Sequence, residues 1–209
     1  MHEYLVLASI LGALGIGVVS PGPSFVLVAR VAVATSRMNG LATALGMGLG
    51  SVVFAMAALF GLQTVLLAVP TMYLGLKILG GIYLCYLGIN IFRSATQVLP
   101  TTATHTDNLT SKTRSLWLGF ATQISNPKTA IVFASVFAAF LPTTFSFSFA
   151  AILLCGVFLI EGLWYAIVAV LLSSAKPRAV YTRYKSWLDR AAGTILLGLG
   201  LKLITSAND

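Results

Sequence analysis

Charge is scarce in this sequence. Only 9% of its 209 residues are Asp, Glu, Lys or Arg, and just five are acids. A soluble domain carries roughly 25% charged residues. With 58% hydrophobic residues and a mean hydropathy of +0.94, the chain cannot coat itself with water-facing side chains, which excludes a soluble fold. Cysteine is nearly missing as well. Cys85 and Cys155 lie in separate apolar runs, where they read as buried small hydrophobes and exclude a disulfide framework. His105 and Asp107 are too sparse for a metal site. There is no Walker loop, no dinucleotide fingerprint, no His/Cys metal spacing and no Ser/His/Asp set. No enzyme, cofactor or metal centre is expected, and any transport must run on an ion gradient or downhill.

The charge that is present is unevenly placed. The net value is +8, and ten of the thirteen basic residues flank the first, third and fifth apolar runs: Arg30 and Arg37; Arg93, Lys112 and Arg114; Lys176, Arg178, Arg183, Lys185 and Arg190. The segments after the second and fourth runs (63–71 and 142–147) have none. Basic loops stay cytoplasmic, so both termini are expected outside, in the periplasm, and the positive balance records topology rather than a nucleic-acid partner. The start, Met1-His2-Glu3-Tyr4, lacks the positive n-region of a cleaved signal peptide.

Apolar runs fall at about 4–34, 41–67, 72–92, 115–141, 148–172 and 190–205. A bilayer core needs about 20 helical residues. The first and fourth runs are longer than one straight crossing, and both contain proline breaks: Ser20-Pro21-Gly22-Pro23-Ser24 and Ser125-Asn126-Pro127-Lys128-Thr129. Gly81 and Gly88 in the third run share their spacing with Gly193 and Gly200 in the sixth. The expected fold class is therefore an all-α integral membrane protein of six transmembrane helices, arranged as two inverted three-helix repeats with the first and fourth helices broken. One transporter domain covers 1–209, with repeat one at about 1–93, a Thr/Ser-rich cytoplasmic linker at about 94–114 and repeat two at about 115–209. Gly46-Met47-Gly48-Leu49-Gly50 lets helices approach closely, within the bundle or between subunits, which leaves a homo-oligomer open. Trp117 and Trp187 read as interface anchors, and Lys77 and Lys202 as snorkelling ones.

The breaks carry the chemistry. Ser20 before Pro21 and Asn126 before Pro127 read as N-caps followed by proline at the first helical position. Two helix starts that converge at membrane depth offer unpaired amides and positive dipole ends to an anion such as a carboxylate, and Lys128 adds a full charge. A lone proline would read as a simple kink; two matched motifs with polar caps favour a binding site between repeats. The candidate substrate-binding residues are Ser20, Pro21, Gly22, Pro23, Ser24, Asn126, Pro127, Lys128 and Thr129. Glu161 is the one acid in the middle of a run. An ionisable group there is a functional candidate by default. It fits a proton carrier, a contact for a substrate ammonium, or a structural partner of Lys128.

Pro21-Gly22-Pro23, Asn126-Pro127-Lys128, the stretch from Gly80 to Gly88 (GGIYLCYLG) and the overall length together resemble the LysE/RhtB-type amino-acid exporters of bacterial inner membranes. The resemblance covers residues 1–206. It implies efflux of amino acids or derivatives from the cytoplasm, driven by the proton-motive force, with protons and membrane lipid as the other partners. Where many relatives carry Asp in the fifth span, this chain has Glu161, the same charge on a longer arm. Two other readings stand beside it. A membrane thiol–disulfide carrier would need cysteines near the breaks, and a cation exporter would need an acidic or His cluster. A reporter fused after Asp209 should read periplasmic; a cytoplasmic signal would force an odd number of spans.

Overall fold

The computed structural model describes residues 2–62, 70–96, 111–142 and 144–205, and among these it is helical with no strand. Most of the linker expected at 94–114 lies outside the described residues, as does the side chain of Lys77. Eight α-helices follow in order: α1 His2–Val19, α2 Pro23–Ala34, α3 Arg37–Ala57 (continued by a π-helical turn, Ala58–Leu62), α4 Pro70–Ser94, α5 Lys112–Ile124, α6 Pro127–Phe140, α7 Phe147–Leu172 and α8 Ala175–Thr205. Both long runs are broken where the prolines predict. The α1–α2 pair bends by 57° across its break, and α5 ends at Ser125 before α6 restarts at Pro127.

By length and composition, Arg37–Gly61 and Phe147–Leu172 are each apolar enough to cross a membrane, and the bent α1–α2 pair makes a third span if it is one. Ile78–Arg93 and Pro127–Phe140 are shorter apolar helices. Leu79, Ile82, Tyr86 and Phe92 of α4, and Leu159 and Leu163 of α7, point outward. An apolar surface of this kind suits lipid and not water. Trp117 and Trp187 are exposed too, at 60% and 72%. Cys155 is exposed on α7, which corrects its expected burial: it faces the apolar outside, where a thiol is as well tolerated as in a core.

The end of the chain departs from expectation. The basic stretch 176–190, read as a loop before a short sixth run, belongs to the 31-residue α8. Pro177 stands in its first turn, where a missing amide proton costs no helical bond. Further along, Lys185 and Asp189 form a buried (i, i+4) ion pair at 2.7 Å.

Glycines set how closely the helices pack. A Cβ on Gly81 would lie 2.8 Å from the Gly200 carbonyl oxygen, and one on Gly88 would lie 2.6 Å from that of Gly193. The two contacts run in opposite directions along the helices, so α4 and α8 are antiparallel and touch backbone to backbone. In α3, Gly46 sits against the Leu116 carbonyl of α5 and Gly48 lies 3.2 Å from the Gly162 Cα of α7, measured from the Cβ position it lacks. The small-residue motif of α3 is thus used within the chain. At the other end, the Glu3 carboxylate accepts from the Ser146 amide at 3.2 Å and its hydroxyl at 3.1 Å, which ties the start of α1 to the start of α7.

Two apolar clusters result. One gathers Phe133, Phe137, Phe149 and Leu153, and the other gathers Phe25, Val28, Met47 and Tyr165. On α7, Val157 belongs to the first and Tyr165 to the second, with Glu161 one turn from each. The breaks lie at this level. Gly200→Ala should destabilise the protein by about 1–3 kcal/mol through overpacking. Gly198→Ala on the same helix meets nothing within 4 Å and should be neutral or slightly stabilising. Thermal melting of the two variants in detergent checks the contrast, and equal losses would show that the glycine seam is not tight.

Candidate functional site

The helix after the first break begins two residues later than a capping Ser20 would place it. The structure gives α2 Gly22 as its N-cap, with φ −151° and ψ −170°, and Pro23 at the first helical position. This corrects the expectation that Ser20 caps and Pro21 leads. The cause is local: Gly22 precedes a proline, and the residue before proline is driven out of the α region into extended backbone. The helix can therefore start only at Pro23. Among the described residues the Ser20 hydroxyl has no partner, and it is the Ser20 carbonyl that engages, accepting from Lys128 Nζ at 2.8 Å.

The second break matches its sequence reading. Asn126 caps α6 by accepting from the Lys128 amide at 3.0 Å, with Pro127 leading the helix. Superposing the two helix starts pairs Gly22-Pro23 with Asn126-Pro127. The sequence alignment of the motifs is thereby shifted by one, and Lys128 corresponds to Ser24.

Asn126 also reaches across the gap. Its Nδ2 donates to Ser24 Oγ at 2.8 Å, and Ser24 Oγ donates to Gln123 Oε1 at 2.6 Å. Gln123 Nε2 then donates to Ser51 Oγ at 2.7 Å and to Glu161 Oε2 at 3.3 Å. One chain of hydrogen bonds thus joins α2, α3, α5, the start of α6 and α7, and all five side chains are buried. A buried polar group must be bonded or it costs stability. Gln123, fully buried, uses its carbonyl once and its amide twice.

Seven of the ten candidate residues line one cavity: Ser20, Gly22, Ser24, Asn126, Lys128, Thr129 and Glu161. Pro21 and Pro23 face a wider pocket beyond Gly22 and Lys128, and Pro127 is exposed at the head of α6. The cavity measures about 20 Å³, room for roughly one water. Lys128 and Glu161 share its wall without forming an ion pair, each being held by other groups. The arrangement offers one cation, one carboxylate and several hydroxyl and amide groups around a closed point. Among the described residues no three of His, Cys, Asp or Glu gather as metal ligands.

Sequence reasoning missed Gln123, Ser51 and Tyr165, the last lining the cavity one turn from Glu161. An uncharged Gln inside an apolar run carried a usable signal. Ser51 carried none, since a serine that bonds its own helix, here to the Met47 carbonyl at 3.1 Å, looks alike wherever it stands.

Comparison with known proteins bears on the chain as a whole. Residues 15–207 match the model of one family, described as LysE type translocator. The chain is similar to the threonine efflux protein of Salmonella typhimurium, 33% identical over 196 residues covering 91% of this chain and 93% of that one. It is 32% identical to the threonine efflux protein of Escherichia coli K12 over 197 residues, with the same coverage. An uncharacterized membrane protein of Haemophilus influenzae is 28% identical over 191 residues, 90% of each chain. No solved structure matches.

Gln123→Leu should cost about 2–4 kcal/mol, because it strips partners from Ser24, Ser51 and Glu161 together. Ser20→Ala removes a hydroxyl that bonds nothing among the described residues and should leave stability within about 0.5 kcal/mol. Chemical denaturation of the purified variants measures both.

Proposed function

This chain belongs to the LysE type translocator family, and we propose that it is a secondary-active exporter of amino acids or their derivatives, a transporter and not an enzyme. The observation that carries the reading is the cavity between the two helix breaks, where Lys128 and Glu161 stand on one wall without neutralising each other. An α-amino acid brings the complementary pair, a carboxylate for the lysine and an ammonium for the glutamate. The threonine efflux proteins among the relatives make threonine the first substrate to try.

The proposed architecture is six spans in two inverted repeats, with both termini periplasmic and the protein in the bacterial inner membrane. The glycine seam of α4 and α8 supports it. Exchanging Gly81 with Gly193 and Gly88 with Gly200 turns the contact Gly81–Gly200 into Gly193–Gly88, so the pairing is its own image under a two-fold operation. Inverted repeats place the substrate at their interface near the midplane. Arrival of a carboxylate at Lys128 displaces the Ser20 carbonyl and frees the break to move. At about 20 Å³ the inner cavity admits no amino acid, so the helices around it must part for cargo to enter. Glu161 has the further role of carrying a proton in exchange for substrate, which couples export to the proton gradient.

Uptake of labelled threonine into energised inside-out vesicles tests the reading. Wild type should accumulate threonine saturably. Lys128→Ala should lower flux at least a hundredfold with insertion intact, and Glu161→Gln should abolish dependence on the proton gradient. Normal gradient-driven flux in both variants would remove these residues from the site.

A further inference from the structure

Lys128 and Gly22 have a second face. Beyond them lies a pocket of about 380 Å³, bounded by Pro21, Gly22 and Pro23 of the break, by Asn90 and Arg93 of α4, and by Lys128. That volume is nearly twenty times that of the inner cavity and within the range of small-molecule sites. Among the described residues that line it, two are cations and none is an acid. Arg93 makes no ion pair among the described residues, and both it and Asn90 are exposed. Lys128 is thus the partition between a wide, positive pocket and the small cavity that Glu161 lines. Its aliphatic chain packs over Gly22, where a Cβ would stand 3.2 Å from Lys128 Cδ.

We propose that this outer pocket is an entry site, in which Arg93 and Asn90 capture the carboxylate of a small amino acid before Lys128 takes it over. The step rests on the export reading above and adds a residue pair to it. A guanidinium holds a carboxylate through two parallel hydrogen bonds, and an amide adds a neutral donor. A recess with cations on its wall and no acid concentrates anions ahead of binding. Two sites sharing one lysine also give a direction of transfer. The carboxylate moves from an exposed cation to the one beside the break, and only there does its ammonium come within the same cavity as Glu161. Molecules that lack the carboxylate gain nothing from the outer site, so selection starts before the bundle opens.

The first measurement needs no substrate. Asn90→Cys, in a chain carrying Cys85→Ala and Cys155→Ala, is treated in inside-out vesicles with a sulfonate-bearing and a trimethylammonium-bearing methanethiosulfonate. Each rate is divided by that reagent's rate with free thiol. The anionic reagent should be favoured about fivefold, Arg93→Gln should at least halve that preference, and Arg93→Lys should keep it. No modification, or no charge preference, overturns the proposal. The second measurement is threonine uptake, in which Arg93→Gln should raise KM about threefold to fivefold and leave the maximal rate unchanged, as loss of an exposed ion pair does. An unchanged KM beside normal wild-type flux overturns the entry site and leaves the export reading standing. If the wild type moves no threonine, that substrate falls, and the reagent rates still decide whether the pocket draws anions.

Discussion

A helix that stops inside hydrocarbon leaves polar backbone with no water to turn to, and here one contact answers that need. The carbonyl of Ser20, freed when α1 ends, is taken up by the Lys128 ammonium at 2.8 Å. The lysine reaches it because Asn126 starts α6 at the right height and Gly22 offers no side chain in the way. Everything around the break is arranged to keep this contact: Asn126 braces Ser24, Ser24 braces Gln123, and Gln123 holds Ser51 and Glu161. A cation among apolar helices is tolerated here because a freed carbonyl accepts its hydrogen bond. In the export cycle proposed above, the lysine that closes the backbone is also the group a substrate anion would compete for.

The helix seams explain what can and cannot shift around that contact. Where α4 meets α8 and α3 meets α5, backbone touches backbone through Gly81, Gly88, Gly193, Gly200, Gly46 and Gly119. Such pairs have little freedom to slide, because any displacement drives an atom into a carbonyl. The α1–α2 break is joined to α5 and α6 by side-chain hydrogen bonds of Ser24, Asn126 and Lys128, which exchange partners at lower cost. The fold thus sets firm helix pairs beside a looser polar joint.

Much of this was legible in the residues. Proline at 21, 23 and 127 located both breaks, because proline removes a donor and restricts the residue before it, and a polar side chain beside each marked the depth at which chain had to meet protein. Glu161 stood out as a lone acid in an apolar run. The exact start of α2 did not show, because Pro21 and Pro23 compete for the role and the effect of Pro23 on Gly22 decides it. Gln123, a polar residue in an apolar run, could have been singled out, but not as a hub, since its three partners stand on three other helices and such contacts leave no trace along the chain. The six-span count rests on the charge pattern; helix length alone yields two spans, or three with the bent pair. The fate of 176–190 was misjudged because basic composition reads as loop, whereas Lys185 is buried against Asp189 within one helix.

The size of the inner cavity has a consequence of another kind. Space for about one water cannot hold a file of them, and protons cross proteins along such files. Around Glu161, then, the inner cavity has no room for a continuous thread of water. For a chain that exports as proposed above, that small volume would keep idle copies from leaking protons, so abundance would carry no bioenergetic penalty until cargo arrived.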